Sequence, residues 1–291
     1  MAYETLRLTI PQWQGGNDLT YHFGAQLLDW LAPAHDGPEE TIDIPEPEGE
    51  SLELEDGIKG RTPVLRQARA TRETIDAHDP DRIVALGGDC FTDLAPIAYL
   101  NEKYDGELGV LWIDAHPDVK RPEHNPHAHA HILGVLLDEG DPDFTAEVDT
   151  PIDPDRVMYA GLNDWSETED EIISRLGLQH ASATELADDS EPVLEWIEEQ
   201  GITHLAIHFD LDVLDPEHFS PLLFNNPDLP EGRFDGVPRG EMRLDQVVRL
   251  LNDVDTQTDI VGLAITEHLP WDMLRLSEAL DELPILQDES G

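Results

Sequence analysis

Cysteine, lysine and long apolar runs are all scarce in this chain. One cysteine, Cys90, occurs in 291 residues. A single thiol excludes a disulfide framework and fits a reducing compartment. No run of ~18 apolar residues is present, so no membrane-spanning helix is expected. The opening MAYETLRLTI lacks the charged-then-apolar pattern of a secretory leader. Cytoplasmic placement is therefore expected. Only three of the 17 basic residues are lysine (Lys59, Lys103 and Lys120), against 64 acidic ones, and the formal net charge is −47. Such a field repels polyanions, so neither nucleic acid nor an anionic membrane surface is an expected partner.

What is abundant is carboxylate, interleaved with apolar segments that make up 39% of the chain with their aromatics. That interleaving points to a folded protein rather than a disordered one. Dense carboxylate with little lysine suits a cytoplasm of molar salt, where the screening length shrinks to ~3 Å, and a halophilic protein is expected. Continuous apolar runs at 82–87, 108–113, 156–162, 204–209 and 260–265 read as buried strands of a parallel sheet, with 3–10 as a sixth. Helical spacing fills 18–31, 62–77, 91–104, 132–139, 169–176, 191–199 and 244–254. Strand alternating with helix indicates α/β, with helices on both faces of the sheet. Segments 36–50 and 216–240, rich in proline and acids or in proline, glycine and asparagine, read as loops; the second follows a strand and is long enough to be functional. No boundary divides the chain, and residues 1–291 are expected to form a single domain.

Chemistry-bearing residues collect after the strands. Asp114, His116 and Asp118 follow LGVLWI in the run Asp114-Ala-His116-Pro-Asp118. In extended chain they would share a side, at the edge where open α/β sheets place ligands. Two carboxylates and an imidazole there are costly to leave unpaired, and a divalent cation resolves the cost. Asp210-Leu-Asp212 follows HLAIHF in the same way, while Asp215 before Pro216 reads as a turn residue. Gly87-Gly88-Asp89-Cys90 forms a sharp turn after RIVALG, and Glu267 follows IVGLAIT at another strand end. Residues 123–131 hold four histidines, His124, His127, His129 and His131.

In this order, over residues 82–270, these motifs resemble the arginase/agmatinase (ureohydrolase) family. The resemblance implies a three-layer αβα sandwich around a mostly parallel sheet and a binuclear Mn²⁺ site. At matching positions Asp114 and Asp210 would bridge two metals, with His116 and Asp212 completing one and Asp118 and Cys90 the other. Glu267 would hold a cationic substrate group, Asp118 would pass a proton to the leaving amine, and His129 would shuttle protons, with His131 as the fallback. Four aspartates balance two divalent ions, and hard oxygen donors with one imidazole suit Mn²⁺. The implied activity is hydrolysis of a linear C–N bond in a guanidino, amidino or formimino compound by hydroxide bridging the metals. A homo-oligomer is compatible with the resemblance.

Two departures qualify it. The family usually has histidine where this chain has Cys90, which leaves open a thiolate favouring a softer ion, a single metal, a neutral buried thiol, or a non-catalytic relative that binds a metal or ligand. Deacetylase-type amide hydrolysis is a further rival, disfavoured by the paired aspartate motifs. The stretch after Asp118 carries Lys120 and Arg121 instead of the small polar residues that grip an amino-acid end, so L-arginine recognition does not carry over. Those two cations either meet an anionic substrate group or pair at the surface.

Overall fold

The computed structural model describes residues 4–49, 51–230 and 232–281. Tyr3, where the first strand is expected to begin, and Glu50 and Glu231, inside the two expected loops, lie outside the described residues. In chain order the elements are β1 (Thr5–Ile10), α1 (Thr20–Leu31), β2 (Glu39–Thr41), β3 (Leu54–Glu55), β4 (Ile58–Lys59), α2 (Arg61–His78), β5 (Arg82–Gly87), α3 (Leu94–Lys103), β6 (Leu108–Ile113), α4 (Ile132–Leu136), α5 (Pro142–Thr145), β7 (Val157–Ala160), α6 (Glu167–Leu176), β8 (Gln179–Ala181), α7 (Glu191–Gln200), β9 (His204–Asp210), α8 (Leu244–Asp255), β10 (Asp259–Thr266) and α9 (Trp271–Asp281).

Eight strands form one sheet in the order β2-β1-β5-β10-β9-β6-β7-β8, and every pairing in it is parallel. All six apolar runs are strands of this sheet. Two of its strands carried no apolar signal: β2 lies in the acidic segment expected to be a loop, and pairs Arg7 with Glu39 and Thr9 with Thr41. An edge strand with one neighbour can be polar because its outer side meets water. The other is β8, three residues long at the opposite edge.

Strand side chains alternate between two apolar layers. Val110 and Trp112 join one core with Val64 and Ile75 of α2, Ile97 of α3 and Ile132 of α4. Leu111 and Ile113 join the other with Val193 and Trp196 of α7 and Val247 and Leu250 of α8. Period-two alternation with both faces covered makes the runs continuously apolar and gives the αβα layering. The four strands β5, β10, β9 and β6 are adjacent and central. Their carboxyl ends release Asp89 and Cys90, Glu267, Asp210, and Asp114, so residues far apart in sequence meet at one edge.

Candidate metal centre

Three of the four strand ends turn by the same local device. Asp114 Oδ1 accepts from the His116 backbone N–H at 2.7 Å, Asp210 Oδ1 from that of Asp212 at 2.6 Å, and Asp89 Oδ1 from that of Phe91 at 3.0 Å. The carboxylate replaces the lost ladder partner and reverses the chain. These motifs therefore do not continue as extended chain, as alternation of side chains supposed. Residues 211–213 form a turn of 3₁₀-helix, and Asp118 adopts a left-handed backbone, φ +52°. The side chains nevertheless converge.

Ligand atoms of Asp114, His116 and Asp212 lie within 4.8 Å of one another. So do those of Asp114, Asp118 and His208, those of Cys90, His208 and Asp210, and those of Cys90, His129 and Glu267. Of the residues singled out from sequence, Cys90, His116, Asp118, Asp210, Asp212, His129 and Glu267 line one cavity of about 440 Å³. Asp114 is wholly buried beside it. Asp215 stands apart, capping a turn by accepting from the Glu217 N–H at 2.8 Å and pairing with His218 at 2.7 Å.

The electrostatics of this cluster are those of crowded anions. Burial, then the charges of Asp212 and Asp114, push the Asp210 carboxyl far above its ordinary range. Burial and Asp114 do the same to Asp118. His116 loses to burial but gains more from Asp212 and Asp114, which hold it charged. Burial pushes Asp89 up to about 7. The Cys90 thiol is raised by burial and by Asp210 and Glu267, and donates to Asp210 Oδ2 at 3.1 Å. Asp118 Oδ2 and Asp212 Oδ1 are buried without a hydrogen-bond partner. Orphaned carboxylate oxygens facing like charges are the environment that a hard cation satisfies, so the donor set fits divalent metal.

Glu267 is built in with care. Its backbone is left-handed, φ +63°, and its N–H donates to the Gly88 carbonyl at 2.8 Å. Its carboxylate accepts from the Tyr21 hydroxyl and from His129 Nδ1 at 3.0 Å, and Cys90 Sγ lies 3.4 Å away. Burial lowers the affinity of His129 for its proton, but Glu267 more than offsets this and the net shift is upward.

The family model described as Arginase family matches residues 44–221, more than half of the chain. The chain belongs to the arginase family. The matched range holds Cys90, the Asp114–Asp118 motif and the Asp210–Asp212 motif, and stops short of Glu267. Among similar sequences is an arginase of Coccidioides immitis (strain RS), 26% identical over 177 residues, 55% of this chain and 54% of that one. An arginase of Entamoeba histolytica is 30% identical over 142 residues, 46% of this chain and 48% of its own. The chain therefore spans about half the length of the curated relatives it matches. The fold agrees over more: a crystal structure of Entamoeba histolytica arginase in complex with L-ornithine superposes with a TM-score of 0.77 at 22% identity, covering 93% of this chain and 92% of that one.

Within this arginase-family fold, the remaining sequence expectations sort cleanly. Three of the four clustered histidines are occupied elsewhere or removed from the carboxylates. His127 Nδ1 meets the Gly16 carbonyl at 2.9 Å, His131 Nε2 meets the Asn125 carbonyl at 2.8 Å, and His124 lies in a turn. His129 is the one that reaches Glu267. Lys120 and Arg121 divide: Lys120 lines the cavity, 3.7 Å from Glu169, while Arg121 pairs with Glu139 at 3.0 Å. From the expected 216–240 loop, Leu223, Phe224, Arg233, Phe234 and Pro238 line the cavity. Phe224 and Phe234 meet edge-on at 5.4 Å, Arg239 lies over Phe224, and the Pro238 carbonyl is 3.1 Å from His116 Nε2. Sequence reasoning missed Tyr21, Asp93 and His208. An unbroken apolar run hid His208, and a helix start hid Tyr21.

Proposed function

We propose that the protein is a metal-dependent hydrolase of a linear C–N bond in a guanidino, amidino or formimino compound. Clustered buried carboxylates beside Glu267 in one cavity are the observation that carries this reading. Asp114 and Asp210 would serve both of two divalent ions, Mn²⁺ by preference; His116 and Asp212 would complete one ion, Asp118 and Cys90 the other. Such a pair of ions supplies Lewis acidity and a nucleophile made from water at neutral pH.

The chain's own residues do the rest. Glu267 presents a carboxylate to the cationic substrate carbon's N–H groups through charge-assisted hydrogen bonds. Tyr21 and His129 fix its direction. Asp118, with one oxygen free of protein partners, accepts a proton from the attacking water and returns it to the amine that leaves. His129, bonded to Glu267 and lining the cavity, would exchange a second proton between solvent and the departing amine. Phe224 and Phe234 cover the mouth and limit water. Lys120 at the rim faces the distal end of the substrate. The family membership and the shared fold support this reading, as does the fit of the donor set.

A metal- or ligand-binding relative without catalysis, or one with a single ion, is the second reading, and the cysteine at position 90 favours it. One experiment separates them. Protein loaded with Mn²⁺ in molar KCl is screened for urea and ammonia release over guanidino, amidino and formimino compounds. Turnover of one class, abolished in Asp210→Ala, is expected; two bound metals with no turnover of any class would favour the second reading. We further place the protein as a single domain in a high-salt cytoplasm, with no nucleic-acid or membrane partner, and among the described residues no helix is long and apolar enough to cross a membrane. A homo-oligomer is the assembly to look for by sedimentation in molar KCl.

A further inference from the structure

We infer that His208 is a metal ligand of this centre and supplies the imidazole that position 90 lacks. The inference rests on the metal-centre reading above. His208 precedes Asp210 by two residues in β9, so both side chains leave the same face of the sheet. It is wholly buried. The indole of Trp112, its register partner on β6, stacks on its ring at 3.7 Å and 14°. That packing sets the plane of the ring.

The two ring nitrogens have different surroundings. Nδ1 is 2.6 Å from Asp93 Oδ2, and Asp93 is itself wholly buried. Nε2 is buried without a hydrogen-bond partner. It points among the anions of the centre, 4.0 Å from Asp114 Oδ2. Ligand atoms of Asp118 lie in the same close group, and those of Cys90 and Asp210 form another around the same imidazole.

A carboxylate accepting Nδ1–H fixes the tautomer and leaves the Nε2 lone pair directed outward, the arrangement that orients metal-ligating imidazoles. Here that lone pair faces Asp114 Oδ2, whose protein donor is Trp112 Nε1 at 3.0 Å, and a lone pair against a carboxylate oxygen is repulsive. A proton on Nε2 would give an ion pair without a hydrogen bond, because 4.0 Å is too long for one. It is within the ~4 Å that two donors span across one cation. On this inference His208 takes the place given to Cys90 in the donor set above, and the thiol need not ionise. It can remain a neutral thiol donating to Asp210, and the centre keeps nitrogen and oxygen donors suited to a hard ion. The histidine that the resemblance expects on the β5 turn has in effect moved to β9, two strands across the sheet, with Asp93 from the β5 turn supporting it.

The test uses the full chain in molar KCl, with folding checked by circular dichroism. Bound metal is counted by elemental analysis after dialysis against Mn²⁺ or Co²⁺. Hyperfine-shifted, exchangeable imidazole N–H signals are counted by proton NMR of the Co²⁺ form. The parent is expected to hold two ions and to show two such signals, from His116 and His208. His208→Gln is expected to hold one ion tightly and to lose one signal. Asp93→Asn is expected to keep both ions with the weaker bound ~10–100-fold less tightly, and Cys90→Ser to keep both. Two ions bound unchanged in His208→Gln would overturn the inference and leave the proposed function standing. A parent that binds no divalent metal would overturn both. If His208→Gln does not fold, the NMR count in the parent and the Asp93→Asn affinity decide, and a single imidazole signal with unchanged affinity overturns the inference.

Discussion

Single residues here carry strain and charge that their neighbours make tolerable. Glu267 sits in a left-handed backbone conformation that a non-glycine residue adopts only when surroundings over-determine it. Tyr21 is one of those surroundings. Burial first, then the Glu267 charge, raises its hydroxyl well above the ordinary tyrosine range, so it stays a donor. Tyr21→Phe removes one charge-assisted bond, worth about 1.5–3 kcal/mol when left unmatched. Denaturant titration should record a loss of that order, and on the proposed function KM should rise more than kcat falls. An unchanged midpoint and unchanged kinetics would show that the contact is idle. His131 offers a test in pH. Burial holds it down to about 4 from an ordinary 6.5. The unfolded chain therefore binds more protons between those values, so the contribution of His131 is complete above ~6.5 and is lost as pH falls toward 4. Its full size is at most about 3 kcal/mol. His131→Gln should flatten the fall in stability between pH 7 and pH 5, measured by parallel denaturation in molar KCl; equal falls in parent and variant would contradict it.

At the scale of elements, the site depends on how closely α1 lies against the end of β10. His268 Nδ1 meets the Gly24 carbonyl at 3.1 Å, and a Cβ on Gly24 would collide with the His268 carbonyl oxygen. Gly24→Ala should lift α1 from the strand end and carry Tyr21 off Glu267. Overpacking of this kind costs about 1–3 kcal/mol, despite the gain in helix propensity that alanine brings. Thermal melts check this, and a variant as stable as its parent would mean that α1 has room to adjust. Close packing also explains what could be read early. The central strands were legible because both of their faces are buried, which makes them uniformly apolar. Strands β2 and β8 were not, because an edge strand of three residues buries too little to leave a pattern. The 91–104 helix was placed correctly but begins as a 3₁₀ turn, since Asp89 caps Phe91 and tightens the entry.

For the whole molecule, charge matters most. Arg61 pairs with Asp141 and Asp143, and Arg72 with Asp76 and Glu102. Yet 17 cations cannot neutralise 64 carboxylates, and on the halophilic reading salt screens the self-repulsion that remains. Dialysis from molar KCl to ~0.01 M lengthens the screening distance from about 3 to about 30 Å. Far-UV ellipticity should fall on dialysis and recover on adding KCl back. A chain that keeps its fold in dilute buffer would remove the halophilic reading without touching the fold or the proposed metal centre.

The sequence by itself determined the α/β alternation, the buried strands, and the carboxylates and histidine at their ends, because a short motif after an apolar run is a local signal of a sheet edge. It also pointed to Cys90 as the anomalous position. Only the tertiary structure decided what stands beside that cysteine. His208 and Asp93 are 115 residues apart and Tyr21 and Glu267 are 246 apart, and His208, Asp93 and Tyr21 read as ordinary core or helix residues until strand order brings β5, β10, β9 and β6 side by side. Local pattern reports which way a side chain faces; which partner it meets is set by non-local pairing, and that is where the unpartnered imidazole came to light.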